Sequence, residues 1–214
     1  MRIAVLLSGR GSNLKALIDA CGAASFPAEI VLAISNVPDA PGLQHAKDAG
    51  IATLTIDHRK FPNRDAFDSA LDVALNDCAA DLVCLAGFMR ILTTDFVERW
   101  RDRMLNIHPA LLPAFKGLDA QQQALDAGVK LAGCSVHFVR PGMDEGPIIA
   151  QAAVPVLSND TAETLSARIL IQEHVLYPLA IKLITDGQIR IENEIAIIDR
   201  GGDAQGTLIS PNAH

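Results

Sequence analysis

The sequence predicts an α/β fold: a three-layer sandwich whose mostly parallel, twisted sheet carries helices on both faces. Two observations predict it. Short apolar runs alternate with longer stretches of helical period through the first half of the chain, the pattern of right-handed βαβ units around a parallel sheet. Half of the 214 residues are hydrophobic, a fifth are charged and only 4% are aromatic, so the core is built mainly from Ala, Val, Ile and Leu, a composition typical of globular α/β chains.

Taken in order, Arg2–Leu7, Glu29–Ser35, 52–56 and 81–86 read as strands, with helices over 12–24, 42–49 and 64–79 between them. Ser12 is the expected N-cap of the first helix. Past residue 100 the pattern changes. Met104–His108 reads as a buried strand, 133–140 and 148–157 as strands flanking a turn-rich loop, and mixed or antiparallel pairing is expected there. A long helix over 161–185 follows, and 188–199 resembles a hairpin closed near Glu192-Asn193. No repeat or linker justifies a cut, so residues 1–200 are expected to form one catalytic domain, and 201–214, rich in Gly, Pro, Asn and Ser, a flexible C-terminal tail.

Charge narrows the function classes. With 18 Lys and Arg against 25 Asp and Glu the net charge is -7. No basic stretch suits a nucleic-acid backbone, so no nucleic-acid partner is expected. The opening apolar run is too short for a signal h-region, and no apolar stretch has membrane-spanning length. A cytoplasmic protein without a membrane partner is the expectation. The four cysteines form no C-x-x-C pair, consistent with reduced, buried thiols.

The segment Ser8-Gly9-Arg10-Gly11-Ser12-Asn13-Leu14 lies between a strand and a helix, where backbone N–H groups and the helix dipole can hold an anion. It begins like G-x-G-x-x-G, but Leu14 stands where the third Gly belongs, and no Gly-Lys-Ser/Thr follows. A phosphomonoester therefore fits better than NAD or ATP. A tight turn without a ligand is the plain alternative.

In Leu105-Asn106-Ile107-His108-Pro109 the period-two alternation puts Asn106 and His108 on one face, and Pro109 ends the strand beside them. The loop Arg140-Pro141-Gly142-Met143-Asp144-Glu145-Gly146-Pro147 carries adjacent carboxylates. Within reach of His108, Asp144 would favour the imidazolium and give an acid/base pair, with Asn106 as an N–H donor to a developing oxyanion. That suggests acyl transfer without a Ser or Cys nucleophile, since no G-x-S-x-G is present. By spacing alone a structural His fits as well. A site of His108, His137 and Asp144 is a further formal possibility, but no metal is expected, because no H-E-x-x-H or close His pair supports one.

Five segments in order resemble one family: Gly11-Ser12-Asn13, Leu85-Ala86-Gly87-Phe88-Met89-Arg90-Ile91-Leu92, Asn106-Ile107-His108-Pro109-Ala110-Leu111-Leu112-Pro113, Ser135-Val136-His137-Phe138-Val139 and Asp144-Glu145-Gly146-Pro147. Together they are similar to the phosphoribosylglycinamide formyltransferases, folate-dependent enzymes of purine biosynthesis, over nearly the whole chain. The resemblance implies their Rossmann-like formyltransferase fold. It also implies direct transfer of a formyl group from 10-formyltetrahydrofolate, the cosubstrate, to the amine of glycinamide ribonucleotide. Asn106 and His108 would stabilise the tetrahedral intermediate and Asp144 assist proton transfer. Gly11, Ser12 and Asn13 would bind the phosphate and Glu173 the ribose hydroxyls. Met89, Arg90, Ile91 and Leu92, with Asn106, would hold the pterin, and Arg64 would meet a further part of the folate. The partners implied are small molecules only, on a monomer or homodimer.

Two positions depart from the family's commoner pattern: Ala110 replaces a Ser, and Asp119 stands where many members have a His. Both bear on the shape of the substrate loop more than on the chemistry. The rival readings are a formyltetrahydrofolate hydrolase, a methionyl-tRNA formyltransferase and a non-catalytic nucleotide-binding module. The first two carry an additional domain for which this chain shows no candidate, and the third does not need Asn106, His108 and Asp144.

Overall fold

The computed structural model describes residues 1–199 and Ser210. The domain boundary at 200 and the rest of the expected tail lie outside the described residues. The elements run β1 (Arg2–Leu7), α1 (Ser12–Cys21), β2 (Glu29–Ser35), α2 (Gly42–Asp48), β3 (Thr53–Thr55), a 3-10 turn at His58–Lys60, α3 (Arg64–Asp77), β4 (Leu82–Leu85), α4 (Thr94–Arg99), β5 (Met104–His108), α5 (Ala120–Asp126), β6 (Leu131–Phe138), β7 (Ile148–Pro155), α6 (Ala162–Thr185), β8 (Ile189–Glu192) and β9 (Ile195–Ile198).

The main sheet has seven strands in the order β3-β2-β1-β4-β5-β6-β7, and β8 and β9 form a separate hairpin. The five strands from β3 to β5 pair in parallel. The chain then returns antiparallel, with Asn106 opposite His137 and His108 opposite Ser135 on β6. The expected α/β sandwich is what the chain adopts.

Its layers follow from alternation along buried strands. In β1, Ile3, Val5 and Leu7 enter one apolar cluster with Leu14 and Leu17 of α1, Leu43 of α2, Ala124 of α5 and Leu165 and Ile169 of α6. Ala4 and Leu6 enter the other, with Phe67, Leu71 and Leu75 of α3 and Phe96 of α4. All five β1 residues are fully buried, so the central strand is covered on both faces.

Several expectations need correction. Gly11, not Ser12, caps α1. Its φ of 72° is left-handed, Ser12 is already helical, and no side chain caps the helix. The helices α4 and α5, 6 and 7 residues long, were not anticipated, because so few residues barely complete two turns and leave no periodic signal. The third β strand keeps only three residues, and β6 begins and ends two residues earlier than expected. Past its end, Arg140 turns to the ion pairs it makes with Glu194 and Asp102. The hairpin turns at Asn193 and Glu194, one residue later than expected, both with positive φ, as two-residue hairpin loops require.

Helix α6 spans 24 residues from a capping box at Thr161 and Thr164. Tyr177 at its middle is fully buried, and its hydroxyl lies 3.1 Å from the carbonyl oxygen of Leu85 and 3.3 Å from that of Leu105. The helix is thereby fixed to the carboxyl end of β4 and the first half of β5, and Glu173, one turn earlier, lines the cavity with residues of the loops that leave them.

Candidate active site

Between β1 and β4 the order of the sheet reverses direction, and a crevice opens outside the strand ends, the place where doubly wound sheets bind ligands. A cavity of ≈ 760 Å³ lies there, lined by the loop from Ser8 to Asn13, by Gly87 and Met89 beyond β4, by Ile107 of β5 and Pro109 just past it, and by Glu173.

The glycine loop is held by backbone and by close approach. Ser8 N–H donates to the Gly87 carbonyl at 3.1 Å, Ser8 Oγ accepts from Met89 N–H at 2.7 Å, and Gly42 N–H donates to the Gly9 carbonyl at 2.9 Å. A Cβ on Gly11 would stand 2.6 Å from Gly42 Cα, so both the contact and the positive φ demand glycine. The first bond of α1 runs from Lys15 N–H to the Gly11 carbonyl. The N–H groups of Ser12, Asn13 and Leu14 precede that ladder, and Ser12 and Asn13 line the cavity, the arrangement of an anion site at a helix N-terminus. The Asn13 side chain is otherwise engaged: its Nδ2 donates to Glu173 Oε2 at 2.7 Å, while its Oδ1 is buried without a partner. Burial pushes the Glu173 pKa up, against the Asn13 hydrogen bond and the charge of His108.

The Asn and His of β5 share a face as the alternation requires, and β6 locks both. His137 Nδ1 lies 3.0 Å from the Phe138 carbonyl oxygen, which accepts its proton. Burial lowers the His137 pKa. The ring is then neutral, its Nε2 is an acceptor, and Asn106 Nδ2, at 3.2 Å, donates to it. That fixes the amide orientation and leaves its second N–H free. His108 is buried, and its Nε2 donates to the Phe115 carbonyl at 2.8 Å. Its Nδ1 faces Asp144 Oδ2 at 3.4 Å, and the same Oδ2 accepts the Gly117 N–H at 2.7 Å. Asp144 has a φ of 50°, a conformation Asp adopts more readily than most residues. Lys116 pairs with Glu145 across the same two loops at 2.9 Å.

Ser135 ties the segment after β5 to the sheet. Its Oγ donates to the Ala110 carbonyl and accepts from Leu112 N–H and Gln151 Nε2. Ala110 is 3% exposed, and Asp119, with φ 55°, begins α5 without capping it. By sequence Ser135 has no role of its own, and His137 enters only as a formal metal ligand beside His108 and Asp144. The signal was present: Ser135-Val136-His137 repeats the polar-apolar-polar spacing of Asn106-Ile107-His108, and the two strands pair residue for residue.

The proposed pterin segment lies along irregular backbone from 86 to 93. Met89 and Ile91 are 68% and 56% exposed, and Leu92 packs into the second cluster. Arg90 lies with its guanidinium 5.8 Å from the Phe67 ring centroid. Arg64 is exposed at the start of α3 and does not line the cavity. Among the described residues no group of three or more His, Cys, Asp or Glu could hold a metal ion, and no helix is long and apolar enough to cross a membrane.

The family described as formyl transferase matches residues 1–181. The chain belongs to the formyl transferase family. It is 45% identical to the phosphoribosylglycinamide formyltransferase of Escherichia coli, over 93% of this chain and 94% of that one. It is 53% identical to the trifunctional purine biosynthetic protein adenosine-3 of Bos taurus over 89% of this chain, but spans only 19% of that relative. Glycinamide ribonucleotide transformylase 1 of Symbiobacterium toebii superposes with a TM-score of 0.91 at 51% identity, covering 92% of this chain and 93% of that one. The resemblance drawn from the five motifs is borne out, and this formyl transferase family member shares the fold of those enzymes.

Proposed function

We propose that the chain transfers the formyl group of 10-formyltetrahydrofolate to the amine of glycinamide ribonucleotide in purine biosynthesis. One observation carries this reading: Glu173, buried on α6, accepts a hydrogen bond from Asn13 of the anion loop and lines the same cavity as that loop and as Ile107 of β5. Asn106, His108 and Asp144 do not line that cavity themselves, but Ile107 and Pro109, their neighbours in sequence, do, so the acid/base cluster adjoins the anion-holding end, with a buried carboxyl group suited to hydroxyls beside the latter. Relatives of matching length carry the name of that activity.

The residues divide the work. The backbone of Gly11, Ser12 and Asn13 holds the phosphate, and Glu173 the ribose hydroxyls. Met89, Arg90, Ile91 and Leu92 offer an apolar surface and open backbone to the pterin, with Arg64 further along the folate. As the amine nitrogen bonds to the formyl carbon, Asn106 donates its free N–H to the oxygen that gains charge. His108 Nε2 is occupied by Phe115, so Nδ1, beside Asp144, is the nitrogen that exchanges protons. Asp144 stabilises the imidazolium and helps carry the proton lost by the amine to N10 of the folate as the old C–N bond breaks. Residues 1–199 act as one catalytic unit on small molecules.

The test is incubation with 10-formyltetrahydrofolate, with and without glycinamide ribonucleotide, following the folate product. Release that depends on the amine is expected. Release at the same rate without it means water is the acceptor and the chain is a hydrolase.

A further inference from the structure

One side of the glycine loop carries chemistry that the proposed reaction leaves unassigned. Arg10 lines the cavity and, among the described residues, is the only lysine or arginine that does. It is exposed, and among the described residues it makes no hydrogen bond or ion pair. Two carboxylates, Glu163 and Glu173, line the same cavity. Thr161 Oγ1 donates to Glu163 and keeps its pKa below the ordinary value, so that charge persists. A dianionic ligand would enter against it with only helix N–H groups to offset the repulsion.

The neighbouring residue supplies an independent observation. Gly9 has a backbone conformation open to any residue, and nothing lies within 4 Å of where its Cβ would stand. No protein atom demands a glycine there, in contrast to Gly11. The space a side chain would fill is the cleft itself, directly beside Arg10.

We propose that Arg10 is the mobile cationic arm of the phosphate site. Its guanidinium folds over the emptied Gly9 position, bonds the phosphomonoester from the side opposite the α1 N–H groups, and sets the preference for a phosphorylated acceptor over its dephosphorylated form. A planar fork of donors suits phosphate. This assignment rests on the reading of the cleft given above, and it concerns a binding residue, not a catalytic one.

Inorganic phosphate is the probe, titrated calorimetrically into the wild-type chain, Arg10→Gln and Arg10→Lys at two salt concentrations. Loss of a charge-assisted bond is expected to weaken phosphate about tenfold in Arg10→Gln. Arg10→Lys should restore part of the affinity, and the salt dependence should be shallower in Arg10→Gln. In turnover, Arg10→Gln should raise the KM for glycinamide ribonucleotide by a similar factor at constant kcat. Equal phosphate affinity in wild type and Arg10→Gln, or no phosphate binding by the wild type, overturns the proposal. Phosphate binding that depends on Arg10 in a chain without amine-dependent turnover leaves Arg10 assigned and removes the proposed activity instead.

Discussion

The anion loop and the β5 cluster are built by different means. At the glycine loop the work falls to main chain: N–H groups ahead of a helix, a left-handed Gly11, and a contact with Gly42 that admits no Cβ. At the β5 end it falls to side chains, each held by a further group: Asn106 by the His137 ring, His108 by the Phe115 carbonyl and Asp144, Asp144 by the Gly117 N–H. Backbone recognition is rigid and rests on groups that no substitution outside the glycines removes, with Arg10 the one side chain proposed to add to it. A side-chain cluster concentrates chemistry in single groups, so one substitution there should remove rate and spare binding.

The largest expected effect tests that contrast at the chemical end. His108→Ala should lower kcat by about 10²- to 10⁴-fold, while calorimetry finds the ribonucleotide affinity nearly unchanged; a matching loss of affinity would erase the distinction. At the other end, Gly11→Ala forces a left-handed Ala and a collision with Gly42. Urea denaturation should report a loss of about 2–4 kcal/mol. An unmoved midpoint would mean that the loop is not held by that approach.

A smaller effect probes how the side-chain end is locked. His137→Leu removes the acceptor that fixes Asn106, leaving His108 and Asp144 untouched, and kcat should fall about tenfold, the worth of one hydrogen bond. An unchanged kcat would mean that the amide needs no such lock. The smallest effect is on pH dependence. Burial holds the His137 pKa below the ordinary 6.5, so the unfolded chain takes up a proton before the folded one does. The wild type should lose stability relative to His137→Gln as pH falls through 6.5, and the two should run parallel above it. A gap that grows in the opposite sense contradicts a buried neutral ring.

The contrast also explains what was legible in the sequence. Alternation marked β1 and β5 with their true bounds, because both faces of those strands are settled by burial. The shared face of Asn106 and His108 followed from the same period. The sequence places Asp144 in a loop without fixing its approach to His108, since its position depends on a positive φ and on Gly117, 27 residues away. Ser12 misled as a cap because Gly11 enters the helix by a route fixed by Gly42, a tertiary contact that local propensity does not contain. His137 stayed unassigned for a similar reason: its role exists only through the β5–β6 register.

Asp144→Asn keeps the shape of the carboxyl group and removes its charge, with single-turnover formyl transfer at saturating substrates and the ribonucleotide Kd measured on the same sample. The rate should fall by about 100-fold or more, the range of a lost acid/base partner, with the Kd unchanged. An unaltered rate, or a rate and affinity that fall together, would show that the charge beside His108 is not what drives the chemistry.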